Sequence, residues 1–211
     1  MEVKSVKRYD AEGAEQRILV AAQTVFLRKG FISTSMSDIA TEAGIGRTSL
    51  HYYFRTKDVL FEAMVKTFVK NIFPDIEKIV DGEGTFLDKL TRIVDRYLDV
   101  LKVNPFMPLF FITEINRDQD HFLKVFLSQE QPIAVLTKLR LQVEQEMQAR
   151  VLRTIPIVDL ISTVGSLMIF PFLLRRLIIS QYLHENSTLF NQFIDRKKMQ
   201  IIEVLTQLLS I

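Results

Sequence analysis

The chain has 211 residues, of which 48% are hydrophobic and none is cysteine. A chain of this length buries about 70% of its unfolded surface, so its core needs no covalent or metal support. The lack of cysteine excludes disulfides and thiolate metal sites, and it favours a cytoplasmic protein. The net charge of +2 arises in residues 1–60, with nine Lys and Arg against seven Asp and Glu. Such an excess is too small to indicate nucleic-acid binding by itself.

No membrane segment is expected. The longest run without charge is residues 160–174, and a bilayer-spanning helix needs about 20 apolar residues. The first residues also lack the apolar stretch of a secretory signal. The uncharged run therefore predicts a helix that is buried on more than one side.

The chain begins with a polar, charged segment over residues 1–12, which predicts a flexible tail. A helix follows, with an apolar stripe at spacings of three and four residues and with Gly30 as its end. The stripe consists of Ile18, Ala22, Val25 and Phe26.

Two short helices with a glycine turn between them come next. Ser35 and Asp38 resemble a capping box at the start of a helix over residues 36–43. Gly44 can adopt the positive φ of a tight turn, and a third helix runs over residues 47–54. Three short helices of this kind fit a helix-turn-helix, whose last helix enters a DNA major groove.

The rest of the chain predicts an all-α body. A fourth helix begins near Lys57 and bends or ends at Pro74, and Asn104-Pro105 stops a fifth. Pro156 opens an apolar helix that Pro171 kinks. No segment alternates as a β-strand does, and the whole chain predicts about nine helices.

The third helix carries the candidate DNA contacts. Its first turn, where base edges are usually met, holds Arg47, Thr48 and Ser49. His51, Tyr52 and Tyr53 follow with groups that reach phosphate or base, whereas Leu50 and Phe54 face the core. Lys57 starts the next helix, where an ammonium group and a helix N-terminus together attract phosphate. Any three-helix unit with a polar surface remains the alternative on spacing alone.

Residues 31–60 closely resemble the signature of the TetR family of transcriptional regulators. The matching pieces are Thr34-Ser35, Ile39-Ala40, Ala43-Gly44-Ile45, Leu50, Tyr53-Phe54 and Lys57. The resemblance covers about residues 14–62 and implies a homodimeric DNA-binding regulator with a diverged effector-binding body.

The resemblance also implies roles for single residues. Thr34 and Ser35 are expected to contact phosphate, and Lys57 is the expected phosphate-binding lysine. Arg47 and Thr48 occupy positions that touch bases or backbone. His51 stands where tyrosine is usual, which shortens its reach, and Gly46 stands where a capping serine is common.

The body is expected to hold an effector cavity between residues 84 and 180, as the resemblance implies. Its aromatic and methionine residues either line that cavity or fill a solid core. The candidates are Tyr97, Phe106, Phe110, Phe111, Phe126, Met168 and Phe172. The near absence of charge over residues 155–174 predicts a lipophilic ligand, whose polar group would meet Ser162, Thr163 or Ser166.

Helices over residues 156–180 and 188–210 are apolar over more of their circumference than one core requires. We therefore expect them to form a four-helix interface with a second copy of the chain. His121 and His184 are too far apart for a metal motif, and no nucleophile motif or phosphate loop is present, so neither an enzyme nor a cofactor is expected.

Together these patterns divide the chain into a tail (1–12), a helix-turn-helix DNA-binding domain (13–57) and a ligand-binding and dimerisation domain (58–211). The predicted function is a repressor that a small lipophilic effector releases from a palindromic operator in double-stranded DNA. Two alternatives from other classes are an all-α carrier or sensor of lipophilic ligands that does not act on DNA, and an enzyme with an all-α cleft.

Overall fold

The computed structural model describes the backbone of residues 2–211 and the side chains of residues 13–211. This part of the chain forms eleven helices and no strand. In order they are α1 (Glu2–Ser33), α2 (Met36–Glu42), α3 (Arg47–Tyr53), α4 (Lys57–Asp81), α5 (Phe86–Val103), α6 (Met107–Arg117), α7 (Gln119–Leu127), α8 (Glu130–Gln148), α9 (Ile157–Leu173), α10 (Arg175–Tyr182) and α11 (Ser187–Leu209). The predicted all-α class is confirmed, with two helices more than the predicted nine.

The first helix carries the stripe that its sequence predicts. The four stripe residues of α1 are each at most 1% exposed. At Gly30 the backbone leaves the helix, with φ 76° and ψ 163°, so the predicted break is confirmed. The tail predicted over residues 1–12 lies outside the residues whose side chains are described, and it stays a prediction.

Two prolines act differently on their helices. Pro74 does not end α4, which continues to Asp81. A proline removes one backbone donor, but Ile72 and Ile76 on either side of it are buried, and their packing offsets that loss. The helix predicted over residues 156–180 instead breaks at Leu174, three residues after Pro171, into α9 and α10.

No single helix in the described part of the chain is long and apolar enough to cross a membrane. Only α9 and α10 taken together have the length and composition, and the chain bends by 55° between them.

The helices form two compact units. The first unit comprises the chain up to Phe68 together with Phe110–Phe126. The second unit comprises Val69–Leu109 and Leu127–Ile211. The first unit thus contains the predicted helix-turn-helix domain (residues 13–57), which we call the reader, together with the beginning of α4 and most of α6 and α7.

Phenylalanine rings form the core of the first unit. Phe26 stacks on Phe31 at 5.3 Å between ring centroids, and Phe110 lies 5.8 Å from both Phe26 and Phe61. We call these rings and their neighbours the aromatic cluster; its members are Phe26, Phe31, Phe61, Phe110, Phe111, Phe122 and Phe126. Ring pairs at these separations add about 0.5–1.5 kcal/mol each to the burial of their area.

The core of the second unit lies among α5, α8, α9 and α11. Buried leucines and valines of α5, such as Leu98, pack with Phe190 and Ile194 of α11. Ion pairs of Lys198 with Asp95 and of Lys102 with Asp195 tie the same two helices together at their surface. The apolar faces of α5 and α11 therefore contribute to one shared core.

Candidate nucleic-acid interface

A capping box fixes the start of α2. The Asp38 amide donates to Ser35 Oγ at 3.1 Å, and the Ser35 amide donates to Asp38 Oδ2 at 2.9 Å. The Lys29 ammonium lies 2.6 Å from Asp38 Oδ1. Hydrogen bonds from Lys29 and from Ser35 hold the pKa of Asp38 far below its usual range. Ser35 is therefore occupied in the helix cap, which is the role that the sequence pattern predicts for it.

A glycine turn sets the direction of α3. Gly44 has φ +66°, and its amide donates to Thr41 O at 3.1 Å. The next amide, of Ile45, donates to Ala40 O at 3.0 Å. These bonds satisfy the carbonyls at the end of α2, as in a glycine-terminated helix. The turn leads directly to Gly46, the N-cap of α3.

Two apolar side chains fasten α3 to the first unit. Leu50 is fully buried and Phe54 is 4% exposed, as their four-residue spacing predicts. A helix of seven residues has little stability alone, so these anchors keep it in place. They leave the opposite flank of α3 free to face solvent.

That flank presents polar groups without internal partners. Arg47, Thr48, Ser49 and Tyr52 are all exposed, and Tyr52 is 84% exposed. Within the described residues, none of these four side chains forms a hydrogen bond or an ion pair. We call them the α3 flank. Tyr53 is half-buried and meets the Tyr52 ring edge-on at 5.3 Å.

The other predicted contacts are already engaged within the protein. Thr34 is 2% exposed, and its hydroxyl donates to Gly30 O at 2.7 Å. His51 is half-buried, with Nδ1 3.2 Å from Arg55 O. The Thr34 backbone amide also donates to Phe31 O at 3.4 Å, so a phosphate contact by Thr34 requires a rearrangement.

Lys57 has a structural position that the sequence does not reveal. Its ammonium donates to Phe31 O at 2.9 Å and to Ile32 O at 3.1 Å, and it lies 5.0 Å from the Phe31 ring centroid. These bonds satisfy carbonyls at the end of α1. An ammonium group has three N–H donors, so one remains for a phosphate.

Two ion pairs between α1 and α2 are further features that the sequence does not predict. Arg28 lies 2.9 Å from Glu42, and Lys29 forms the contact with Asp38 described above. The two residues of each pair lie on different helices and are 14 and 9 positions apart in sequence, respectively, so no helical spacing predicts these pairs. Exposed pairs of this kind contribute little to stability, and they mainly set the orientation of α2.

A cavity of about 600 Å³ lies in the second unit, among α5, α8 and α9. Of the seven predicted pocket residues, it is lined by Tyr97 and Met168. The rest of its lining is mostly aliphatic; the members are Phe86, Leu90, Ile93, Leu127, Ile133, Leu136, Thr137, Leu139, Arg140, Val143, Ile157, Leu160, Ile161, Val164, Gly165 and Ile169. On α8 and α9 these residues recur at i, i+3 and i+4, and a prediction based on aromatic residues misses that pattern.

The other five predicted pocket residues do not line this cavity. Phe110, Phe111 and Phe126 belong to the aromatic cluster of the first unit. Phe172 meets Phe190 edge-on at 5.6 Å, and Phe106 lies 5.3 Å from the Arg175 guanidinium. Aromatic residues in this chain therefore serve mainly as core, which was the alternative left open by the sequence.

The helices predicted to form a dimer interface carry exposed apolar side chains. On α9, Val158 is 70% exposed, Ile161 66% and Phe170 58%. On α11, Met199 is 67% and Val204 43% exposed. Exposed apolar side chains that recur along one helix are typical of a surface that another chain covers.

A family model described as bacterial regulatory proteins of the tetR family matches residues 18–64. An HTH-type transcriptional regulator of Staphylococcus aureus is 36% identical over 109 residues, which are 50% of this chain and 56% of that protein. The HTH-type transcriptional repressor KstR2 of Mycolicibacterium smegmatis is 34% identical over 76 residues, 36% of this chain and 37% of the repressor. The matches thus span about half, or less, of the length of these relatives.

Solved structures match over nearly the whole chain. HlyIIR, a hemolysin II transcriptional regulator, aligns with a TM-score of 0.59 at 22% identity, covering 92% of this chain and 98% of its own. A TetR transcription regulator from Haloarcula marismortui aligns with a TM-score of 0.61 at 15% identity, covering 94% and 100%. At these identities the alignments establish the shared fold.

Proposed function

This chain belongs to the TetR family of bacterial regulatory proteins, and from that premise we propose that it is a sequence-specific DNA-binding repressor. Residues 13–57 act as the reader, and residues 58–211 bind an effector and dimerise. A small lipophilic effector releases the protein from its operator. The protein acts on DNA in the cytoplasm, spans no membrane and catalyses no reaction.

The α3 flank is the observation that carries this proposal. Four exposed polar side chains lie on one short helix, and none is satisfied by the described part of the protein. Arg47 is in the first turn, where a guanidinium group can donate two hydrogen bonds to a guanine edge. The hydroxyls of Thr48, Ser49 and Tyr52 are suited to phosphates or bases. Only a partner that is rich in acceptors uses all of these groups at once.

The predicted phosphate contacts have a supporting role. The third N–H of Lys57 and the amides at the starts of α2 and α4 are donors that favour an anion. Contacts of this kind bind all sequences equally, so they fix the register of α3 on the duplex without reading bases.

Dimerisation completes the reader. One seven-residue helix contacts few base pairs, and a twofold pair of readers doubles the contacts on a palindromic site. The exposed apolar residues of α9 and α11 support an interface through residues 156–180 and 188–210. Light scattering at micromolar concentration is expected to give twice the chain mass of 24.5 kDa. A monomer at that concentration refutes the dimer.

Release by an effector requires different affinities of that effector for two conformations. The cavity of the second unit supports such a ligand, since about 600 Å³ lies within the range of small-molecule sites. Binding there lowers operator affinity only to the extent that the operator-bound conformation holds the ligand less tightly.

Selection of bound DNA from a random pool tests the DNA-binding proposal. We expect two inverted half-sites with centres about 34–36 Å apart or slightly more. If no sequence is enriched while lipophilic compounds bind, the chain is instead a carrier or sensor that does not act on DNA. The cavity is the observation that favours this second candidate.

Variants then separate the roles of two residues. Arg47→Ala is expected to weaken operator binding about tenfold and random DNA much less, because it removes a base contact. Lys57→Ala is expected to weaken both equally and to reduce the salt slope by about one. Arg153→Ala, which removes an exposed charge from the second unit outside the proposed dimer interface, is the control. Equal losses on both DNAs for Arg47→Ala and Lys57→Ala contradict the division of roles.

A further inference from the structure

The cavity of the second unit is apolar, with very few polar groups in its lining. Tyr97 and Thr137 supply hydroxyls, and Arg140 is its one charged residue. The remaining side chains are aliphatic, apart from Phe86 and Met168. A lining of this composition selects its ligand mainly by apolar area, while the few polar groups determine which head group fits.

Tyr97 is the polar group that most needs a ligand. Burial raises its pKa to about 12, so its hydroxyl is protonated, and thus a donor, at all physiological pH values. No described residue accepts a hydrogen bond from that hydroxyl. Tyr97 is half-buried and its ring lines the cavity, so its hydroxyl can find an acceptor only in what occupies the cavity. A ligand oxygen there would accept that hydrogen bond in place of water.

Two of the three hydroxyls that the sequence suggested for this role, those of Ser162 and Ser166, are already engaged. Ser162 donates to Asp159 O at 3.1 Å, and Ser166 donates to Thr163 O at 3.0 Å. Both serines are exposed, and neither lines the cavity. Thr163 does not line the cavity either, so the hydroxyls that can meet a ligand are on α5 and α8 rather than on α9.

The charge at the cavity excludes one class of ligand. Arg140 lies at its lining with Glu144 3.5 Å away, and its side chain is 56% exposed. None of the lining residues that the structure describes carries a carboxylate. A cationic head group would find no carboxylate in this lining, whereas a neutral or anionic head group needs none.

We propose that this cavity binds an apolar molecule whose single polar head is a hydrogen-bond acceptor, a carbonyl or carboxylate oxygen that accepts from the Tyr97 hydroxyl. The identification of this molecule as the effector rests on the proposed function. Its binding to the second unit does not, because every group named here belongs to that unit.

Calorimetric titration with three twelve-carbon probes, kept below their micellar concentrations, tests the proposal without DNA. The probes are 2-dodecanone, dodecanoate and dodecyltrimethylammonium. We expect one or both of the first two to bind at least tenfold more tightly than the cation. Tyr97→Phe is expected to weaken their binding three- to tenfold, the value of one hydrogen bond, and it keeps the ring that packs on the core.

Two further variants complete the design. Tyr182→Phe removes a hydroxyl from a residue that is 74% exposed, and it is expected to change no affinity. Arg140→Gln separates the two arms of the proposal. If dodecanoate is the tighter probe and Arg140→Gln weakens it alone, the head group is a carboxylate. If 2-dodecanone is the tighter probe and Arg140→Gln changes neither affinity, the head group is a neutral carbonyl.

Three outcomes overturn the proposal. The first is that the cation binds as tightly as the other probes. The second is that Tyr97→Phe leaves all affinities unchanged. The third is that no probe binds and that Leu136→Glu, a change in the cavity lining, converts a dimer into a monomer. That result would mean that a second copy of the chain covers the cavity. Failure to select operator DNA, by contrast, contradicts only the proposed function.

Discussion

The two units of this chain use aromatic and aliphatic side chains differently. In the first unit, phenylalanine rings such as Phe26 and Phe61 are almost fully buried and fill the core. In the second unit, aliphatic side chains surround a cavity, and others on α9 remain more than half exposed. The first unit fills its core with rings and offers polar groups of α3 outside. The second leaves apolar surface for something else to cover.

This difference suits each unit to the kind of partner that we propose for it. A solid core holds α3 in a fixed geometry, which direct reading of DNA bases requires. A hollow core tolerates ligands and alternative packing, because empty space leaves its lining without contacts on one side. Rigidity in one unit and adaptability in the other are what a ligand-controlled reader needs.

The largest expected effect comes from removing a buried ring from the core of the first unit. Phe61→Ala removes a fully buried ring of the aromatic cluster and is expected to cost about 3–5 kcal/mol of unfolding free energy. Phe170→Ala, at a ring that is 58% exposed, is the matched control and is expected to change it by at most about 0.5 kcal/mol. Urea denaturation at low protein concentration measures both. Similar losses for the two variants would break the comparison between the units.

A smaller effect is expected at two glycines, one in each unit. Gly44 has φ +66°, whereas Gly165 lies inside α9, and an added Cβ would meet no atom within 4 Å at either position. Gly44→Ala is therefore expected to cost about 1–2 kcal/mol through backbone strain alone. Gly165→Ala is expected to stabilise the chain by about 0.5–1 kcal/mol, because alanine favours a helix.

Thermal unfolding of both glycine variants measures these opposite signs. Gly44→Asn is a useful third variant, since asparagine tolerates a positive φ better than alanine and is expected to lose less. A destabilising Gly165→Ala would indicate that α9 needs a close approach there, either to a ligand or to a second copy.

Local signals made the reader predictable. The spacing of Leu50 and Phe54, the capping pattern of Ser35 and Asp38, and the glycine at position 44 each depend on neighbours within a few residues. The structure confirms all three, and α3 ends one residue earlier than predicted. Such features follow from backbone geometry, so one sequence suffices to find them.

The pocket lining could not be predicted from the sequence, because it depends on contacts between residues that are far apart along the chain. Phe110 and Tyr97 are both aromatic residues on helices of the predicted body, yet Phe110 packs on Phe26 and Tyr97 lines the cavity. Nothing in their local patterns separates them. Likewise, the bonds from Lys57 to the end of α1 span 25 and 26 residues, and no helical period predicts them.

The smallest expected effect concerns the two capping boxes, Ser35 with Asp38 in the first unit and Thr85 with Asp88 in the second. Hydrogen bonds from the Lys29 and Ser35 side chains and the Ser35 amide lower the pKa of Asp38, and those from the Thr85 hydroxyl and amide lower that of Asp88. A carboxylate whose folded-state pKa is lowered stabilises the fold at pH values above its unfolded-state pKa, which is 3.8 here. This stabilisation is lost as the pH falls through the folded-state pKa.

Asp38→Asn and Asp88→Asn are therefore expected to lower the urea midpoint at pH 7, and the gap to the unchanged chain should shrink below about pH 4. Asp38→Asn should lower the midpoint more than Asp88→Asn does, because Asp38 also pairs with Lys29. The difference between the two variants should be smaller in 1 M salt, which screens that ion pair. Midpoints at pH 7 and pH 3, with and without salt, measure this. A gap that widens on acidification would mean that neither carboxylate stabilises its cap as an anion. A larger loss for Asp88→Asn would mean that the Lys29 pair does not set the two boxes apart.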